Sequence, residues 1–304
     1  TNTAAHHAMR WKVGTSGLML EAKNLGTAFP EIDVDDESVA RTNHPNTFSS
    51  VATAVNNEGI AVGKSFVLYD TFERDDNPDI ELYREFATIY KDDEVITIAD
   101  DPDLYASSVA VDINNNGIVI GYAQVSKALQ TTTQPFYYDL NSASPEVVFF
   151  DAGDEFAHTE VSSINDNGQV VGKTTIETIS GTTAVRHAFM FDIGENVVTD
   201  LNDLVSCDLA ITIVDAESIN NNGDILVTAS ATTSFKKLDG DLLLDPTGEE
   251  ITSPDVKTLK LSRIENGEAE NCFEEENSFE RQGAGIHYWL FVLMFGLTFV
   301  RRRF

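Results

Sequence analysis

Asp112-Ile113-Asn114-Asn115-Asn116-Gly117 places side-chain oxygens at alternate positions ahead of a glycine. That is how a calcium loop opens: hard oxygen donors converge on the cation and the glycine permits the sharp turn. Asp112, Asn114 and Asn116 are therefore the candidate metal ligands. The twelfth position, where a bidentate glutamate would close the shell, is Ala123, and the related phrases begin with Ala54, Ser163 and Ser218 instead of Asp112. The apolar Ile113 and the β-branched run after Gly117 describe a plain hairpin equally well, so both readings stand. The histidines, at 6, 7, 44, 158, 187 and 287, are scattered without HExxH spacing. No G-x-S-x-G elbow, P-loop or GxGxxG is present. With 50 acidic residues a carboxylate pair for glycoside hydrolysis can be drawn almost anywhere, so abundance singles out no pair.

The elements that must position these residues come from a repeat. Val55-Asn56-Asn57-Glu58-Gly59-Ile60-Ala61-Val62-Gly63 returns as Ile113-Asn114-Asn115-Asn116-Gly117-Ile118-Val119-Ile120-Gly121. It returns again as Ile164-Asn165-Asp166-Asn167-Gly168-Gln169-Val170-Val171-Gly172 and as Ile219-Asn220-Asn221-Asn222-Gly223-Asp224-Ile225-Leu226-Val227. The turn glycines 59, 117, 168 and 223 are 58, 51 and 55 residues apart, a period that points to stacked or radially arranged units. Alternating apolar residues lead into each phrase, Asn and Gly supply the positive φ of a tight turn, and a β-branched run follows, which reads as strand, turn, strand. The second glycine (63, 121, 172) allows a bulge or a close backbone approach; Val227 in its place marks an atypical last unit.

A second pattern follows each turn: His187-Ala188-Phe189-Met190-Phe191-Asp192 with Val197–Leu201, Phe86–Lys91 with Val95–Ile98, and Pro135–Asp139 with Val147–Phe150. The chain opens inside another copy, His7-Ala8-Met9-Arg10-Trp11, closing at Asn24–Thr27. Each is an aromatic-rich strand, a polar turn and another strand, making about four strands in roughly 50 residues, the size of a propeller blade. His187 belongs to this pattern, which suggests a packing or hydrogen-bonding role. Across residues 5–230 the paired phrases resemble the HAF family of extracellular repeats. The resemblance implies secreted bacterial proteins with a β-propeller-like fold and no agreed catalytic activity. The combination also resembles a larger Gram-negative family of unknown function that carries such repeats and a C-terminal sorting tail.

The expected fold is all-β: repeated four-stranded antiparallel units, a partial β-propeller, plus one C-terminal transmembrane helix. The body spans 1–264, with units near 5–45, 51–99, 107–151, 160–205 and 215–262. An acidic stalk, 265–282, is followed by a tail, 283–304. Net charge is −30, which repels nucleic acid because phosphate binding needs clustered Lys and Arg. The two cysteines, Cys207 and Cys272, would most simply pair in an exported chain, adding about 4 kcal/mol on the chain-entropy argument. No cysteine or histidine cluster suggests zinc, and no cofactor is expected.

Residues 286–300, IHYWLFVLMFGLTFV, have one His and one Thr as their only clearly polar members, and 288–300 are apolar on every helical face. With Gly283, Ala284 and Gly285 they would make a helix of about 27 Å, nearly a bilayer core. Arg301, Arg302 and Arg303 place the far end on the cytoplasmic side. The body would then lie in the periplasm first and at the cell surface or outside afterwards. Small residues, a short apolar span and terminal arginines resemble the GlyGly-CTERM sorting signal, which implies a rhombosortase-like intramembrane protease and export machinery as partners. The adjacent glycine pair usual in that signal is here Gly-Ala-Gly. The expected function is a non-catalytic surface module that binds a protein, glycan or matrix component; the alternative is a surface hydrolase with its site in a propeller channel.

Overall fold

The computed structural model describes residues 7–15, 17, 19–28, 39–40, 49–73, 79–127, 130–151, 158–177, 184–206, 209, 211–237 and 240–263. The chain divides into two bodies, Thr1–Glu270 and Asn271–Phe304; the second lies outside the described residues. Among the described residues the first is built of strands, with one 3-10 helix, Leu201–Leu204.

Five sheets follow one another along the chain. Unit 1 is the antiparallel pair β1 (Ala8–Val13) and β2 (Met19–Gly26). Unit 2 contains β3 (Val39–Ala40), β4 (Ser50–Val55), β5 (Ala61–Phe72), β6 (Asp79–Lys91) and β7 (Glu94–Ile98). Units 3 and 4 are four-stranded meanders: β8 (Tyr105–Ile113), β9 (Ile118–Lys127), β10 (Gln130–Asp139) and β11 (Val147–Phe149), then β12 (Glu160–Ile164), β13 (Gln169–Glu177), β14 (Ala184–Asp192) and β15 (Val197–Asp200). Unit 5 holds β16 (Ile211–Ile219), β17 (Ile225–Ser234) and β18 (Thr252–Leu261).

The expected four strands thus hold in full for units 3 and 4. Unit 2 adds the two-residue β3, paired in parallel with the start of β6, so residues 39–40 belong to unit 2 and not to unit 1 as the sequence suggested. Among the described residues unit 1 has two strands and unit 5 three. The described residues give no further strand to close these sheets into a ring.

Alternation decides which face is buried. The cores lie between consecutive sheets: one joins Val62 and Ile89 of unit 2 to Ile113 and Phe136 of unit 3. The next joins Ile120 and Phe150 to Ile164, Phe189 and Phe191, and the third joins Val171 and Ala188 to Ile213, Ile219 and Val227. Central strands are therefore apolar on both faces, as in β9 and β13. Phe189, Phe191 and Tyr90 are buried, as their pattern predicts, and Tyr138 packs half-buried against the first of these cores. Phe150 stacks on Phe191 with ring centroids 4.0 Å apart, and contacts of this kind contribute about 0.5–1.5 kcal/mol beyond area burial.

The second glycine of the repeat has a steric cause. A Cβ on Gly63, Gly121 or Gly172 would run into the carbonyl of Val51, Val109 or Glu160 on the first strand of its own unit. At the same level each first strand carries a bulge, between Ala52 and Ala54, Ala110 and Asp112, and Val161 and Ser163. Val227 replaces the glycine in unit 5, where β16 keeps the equivalent shift between Ala216 and Ser218 and has another between Ile213 and Asp215; β8, which faces Gly121, likewise has a second shift, between Tyr105 and Ser107.

Candidate functional site: an asparagine rim

Each repeat phrase forms the same turn. In unit 2, Gly59 N donates to Asn56 O (3.0 Å) and Asn56 N to Ile60 O (3.0 Å). Gly59, Gly117, Gly168 and Gly223 all sit at φ between 77° and 82°, a region glycine enters without steric cost. The side chain of the first Asn completes the turn. Asn114 Oδ1 accepts from Asn116 N (3.0 Å) and Ile118 N (2.9 Å). Asn56, Asn165 and Asn220 repeat this at 2.9–3.1 Å. Turn chemistry alone accounts for Asn and Gly here.

The remaining groups of these side chains reach the next unit. Asn56 Nδ2 donates to Asn114 O (3.2 Å), Asn114 Nδ2 to Asn165 O (3.0 Å), and Asn165 Nδ2 to Asn220 O (3.1 Å). A parallel row runs beside it. Asn57 N donates to Asn115 Oδ1 (3.0 Å), Asn115 N to Asp166 Oδ1 (2.9 Å), and Asp166 N to Asn221 Oδ1 (2.9 Å). Third-position asparagines add Asn116 Nδ2 to Asp166 O (2.6 Å) and Asn167 Nδ2 to Asn221 O (3.1 Å). Four turns from four units are thereby tied into one rim. The first Asn is buried in units 2–4 and exposed in unit 5, beyond which no further unit lies among the described residues.

Asp166 sits at the centre of the exposed row. Its Oδ2 accepts from Asn115 Nδ2 (3.0 Å) and Asn221 Nδ2 (2.8 Å). The Asn115 side-chain and backbone donors, then Asn221, hold its carboxyl below the usual carboxylate range. At the far end Asp224 is held down to about 2 by bonds from Ser262, Asn220 and Lys260.

The three residues proposed as calcium ligands lie in this rim and its supporting strand. Asp112 is pushed up by burial, against the opposing bonds from Ile164 N, Ile113 N and Ser163 Oγ. Its carboxylate joins β8 to β12. Asn114 and Asn116 are engaged in the turn and cross-unit bonds just given, so a cation would have to displace them. Among the described residues no three His, Cys, Asp or Glu side chains are grouped to hold a metal.

His187 Nδ1 meets Asp200 Oδ2 at 2.5 Å. Burial pushes Asp200 up, but His187 and the backbone and side chain of Asn202 together hold it below the usual range. Asp200 also caps the 3-10 turn through Asn202 N. The pair therefore ties the aromatic strand to the end of the outer strand. Lys173 bridges units 4 and 5 through Asp215 (2.9 Å) and reaches Glu160 (3.5 Å). A cleft of about 180 Å³ between units 2 and 3 is lined by Lys64, Glu85, Ser107, Tyr122 and Gln124, below the ~300–1,000 Å³ of small-molecule sites.

His6, His44, His287, Cys207, Cys272, the Gly283-Ala284-Gly285 segment and Arg301–Arg303 lie outside the described residues, as does the whole span 284–300. Among the described residues no helix is long and apolar enough to cross a membrane. No curated protein and no solved structure matches the chain. The family described as Protein of unknown function (DUF3466) matches residues 2–303, nearly the full length, and the chain belongs to that family.

Proposed function

We propose that this chain is a non-catalytic binding module displayed outside the cell, its units arranged as blades of a propeller-type body. The observation that carries the reading is the rim itself. Four units present a continuous row of amide and carboxylate groups at fixed spacing, each turn held by its neighbour. Such preorganised polar groups bind a hydrogen-bonding ligand without a further ordering cost. The first strands β4, β8, β12 and β16 neighbour one another in order, as inner strands of successive blades do, with Thr53 Oγ1 donating to Ala110 O (2.8 Å) between two of them. The likeness to HAF repeats supports the extracellular setting.

Residues 283–304 act in this reading as a sorting tail. The apolar span inserts in the inner membrane, Arg301–Arg303 stay cytoplasmic, and a rhombosortase-like protease cuts near Gly283-Ala284-Gly285 after export. A Cys207–Cys272 disulfide would brace the last unit against the stalk segment.

The test is a panel of extracellular glycans and matrix proteins presented to the full chain, with and without divalent cations, for wild type and for Asn167→Ala/Asn222→Ala. Selective binding that falls about tenfold or more in the double variant supports the reading, the size expected from losing one or two polar contacts. Binding indifferent to the rim, or release of cleaved product from any panel member, overturns it. Intact-mass analysis of the surface form tests the tail: a freely soluble protein still ending in Phe304 refutes the sorting step.

A further inference from the structure

Units 3 and 4 share one plan: an inner hairpin with the Asn turn, an aromatic strand, and an outer strand. β1 and β2 are the second half of that plan alone. His7, Met9 and Trp11 stand where His187, Phe189 and Phe191 stand, and His7 Nδ1 contacts Asn24 Nδ2 (3.2 Å) where His187 meets Asp200. The amide of Ala8 donates to Ser50 Oγ (2.9 Å) of the following unit as that of Ala87 does to Ser108 Oγ (2.8 Å).

Among the described residues, four separate features lack the neighbour that their equivalents have. Among the described residues β1 pairs only with β2, whereas β6, β10 and β14 are also paired with the second strand of an inner hairpin. Val55 is 53% exposed, but Ile113, Ile164 and Ile219, at the same place in the phrase, are 5–8% exposed because each packs on the preceding unit. Trp11 is 54% exposed where Phe191 is 1%. The side chain of Asn57 stands where Asn115, Asp166 and Asn221 accept a backbone N–H from the turn before, and no turn precedes it among the described residues.

One object fills the strand edge, the Val55 face and the start of the rim together. We propose that the open flank of units 1 and 2 is a docking site for one β-hairpin of the repeat type, a strand–Asn-Asn-x-Gly–strand segment of a separate polypeptide, since the four copies of the phrase in residues 1–304 are all already held in hairpins of units 2–5. The existing registers specify it. Its second strand pairs with β1, with a glycine opposite Met9, as Gly121 faces Phe136 and Gly172 faces Phe189. A β-branched residue lies opposite Trp11, as Val119 faces Tyr138 and Val170 faces Phe191. Its turn donates a backbone N–H to Asn57 Oδ1 and its first Asn amide to Asn56 O. A second copy of the described body cannot supply this hairpin, because β5, β9, β13 and β17 are each already paired with a third strand, β6, β10, β14 and β18.

The experiment uses the full chain in mild detergent and a peptide copying residues 158–177, the inner hairpin of unit 4, with amide hydrogen exchange read by mass spectrometry. A second arm fuses the same twenty residues ahead of Thr1, so that residues 1–7 form the connection and the effective concentration is high. Exchange in 8–13 and in 55–58 should slow together by about tenfold or more. Asn57→Ala should weaken peptide binding about fivefold, one neutral hydrogen bond's worth, without changing thermal unfolding of the unbound chain. A Gly168→Val peptide, its turn disabled, should not protect. Absence of protection in both arms overturns the proposal. So does protection of 8–13 alone with Asn57→Ala indifferent, which is generic edge pairing, and so does concentration-dependent protection without peptide, which is self-association.

Discussion

At the scale of single residues the two glycines of each phrase obey different constraints, and substitutions separate them. Gly168 is glycine because of φ, 80°; an added Cβ would meet nothing closer than Ile193 Cβ at 3.8 Å. Asn tolerates that conformation, so Gly168→Asn should cost about 1 kcal/mol or less, and Gly168→Val about 1–3 kcal/mol. Gly172 is glycine because of the Glu160 carbonyl, and no rotamer relieves a Cβ clash with backbone. Gly172→Ala should therefore cost at least about 2–3 kcal/mol. Denaturant midpoints of the three variants test the order, and a Gly172→Ala protein as stable as Gly168→Asn would reject the steric account. Asp166 adds a pH signature. Its folded carboxyl titrates below the ordinary value, so its stabilisation is fully present above an unfolded pKa of about 4 and is lost as pH falls through the lower folded value. The stability gap between wild type and Asp166→Asn should be constant from neutral pH to about 4 and shrink below it. A gap that widens in acid contradicts the assignment of Asn115 and Asn221 as donors to the carboxylate.

At the scale of elements the turn is the unit of both folding and assembly. Asn165 holds its own turn through Oδ1 and grips the next turn through Nδ2, and it is buried; Asn220 makes the same turn bonds, is exposed, and has no turn after it among the described residues. Asn165→Ala should cost about 2–4 kcal/mol, from several lost bonds and unsatisfied buried groups, and Asn220→Ala only about 1 kcal/mol. Equal losses, measured by thermal unfolding, would mean that the cross-unit bonds contribute nothing. The strands and the turn were legible in the sequence because each has a local cause, alternation and positive φ, and the second glycine pointed to a close backbone approach or a bulge without saying that the bulge lies on the facing strand. The alignment of Phe86–Lys91, Pro135–Asp139 and His187–Asp192 also holds strand for strand, with Ala61, Val119 and Val170 facing Tyr90, Tyr138 and Phe191. The rim was not legible, for a physical reason. Asn and Gly are fully explained by the turn that they make, so nothing in their spacing announces a second partner about 50 residues away. The contacts that the side chains of Asp112, Asn114 and Asn116 make with unit 4 were hidden for the same reason. The short parallel contact of β3 had no periodic signal at all, being two residues long.

At the scale of the whole molecule the units form a row in which each sheet buries its face on the next and each turn hydrogen-bonds to the next, so coupling runs between nearest neighbours. Such a row has two unlike ends. Among the described residues, the far end presents an exposed, polar turn in unit 5, and the near end leaves Val55, Asn57 and the β1 edge without the neighbours that the repeat supplies elsewhere. Everything in this account depends on the turns being linked across units, and amide hydrogen exchange at four positions reads that directly. The backbone N–H groups of Asn57, Asn115 and Asp166 lie at exposed turn tips, where exchange is ordinarily fast, yet each donates to a side chain of the following unit. Asn221 occupies the same place with no unit after it among the described residues. The account predicts protection at Asn57, Asn115 and Asp166 of about tenfold or more over Asn221; four equally fast rates would contradict it.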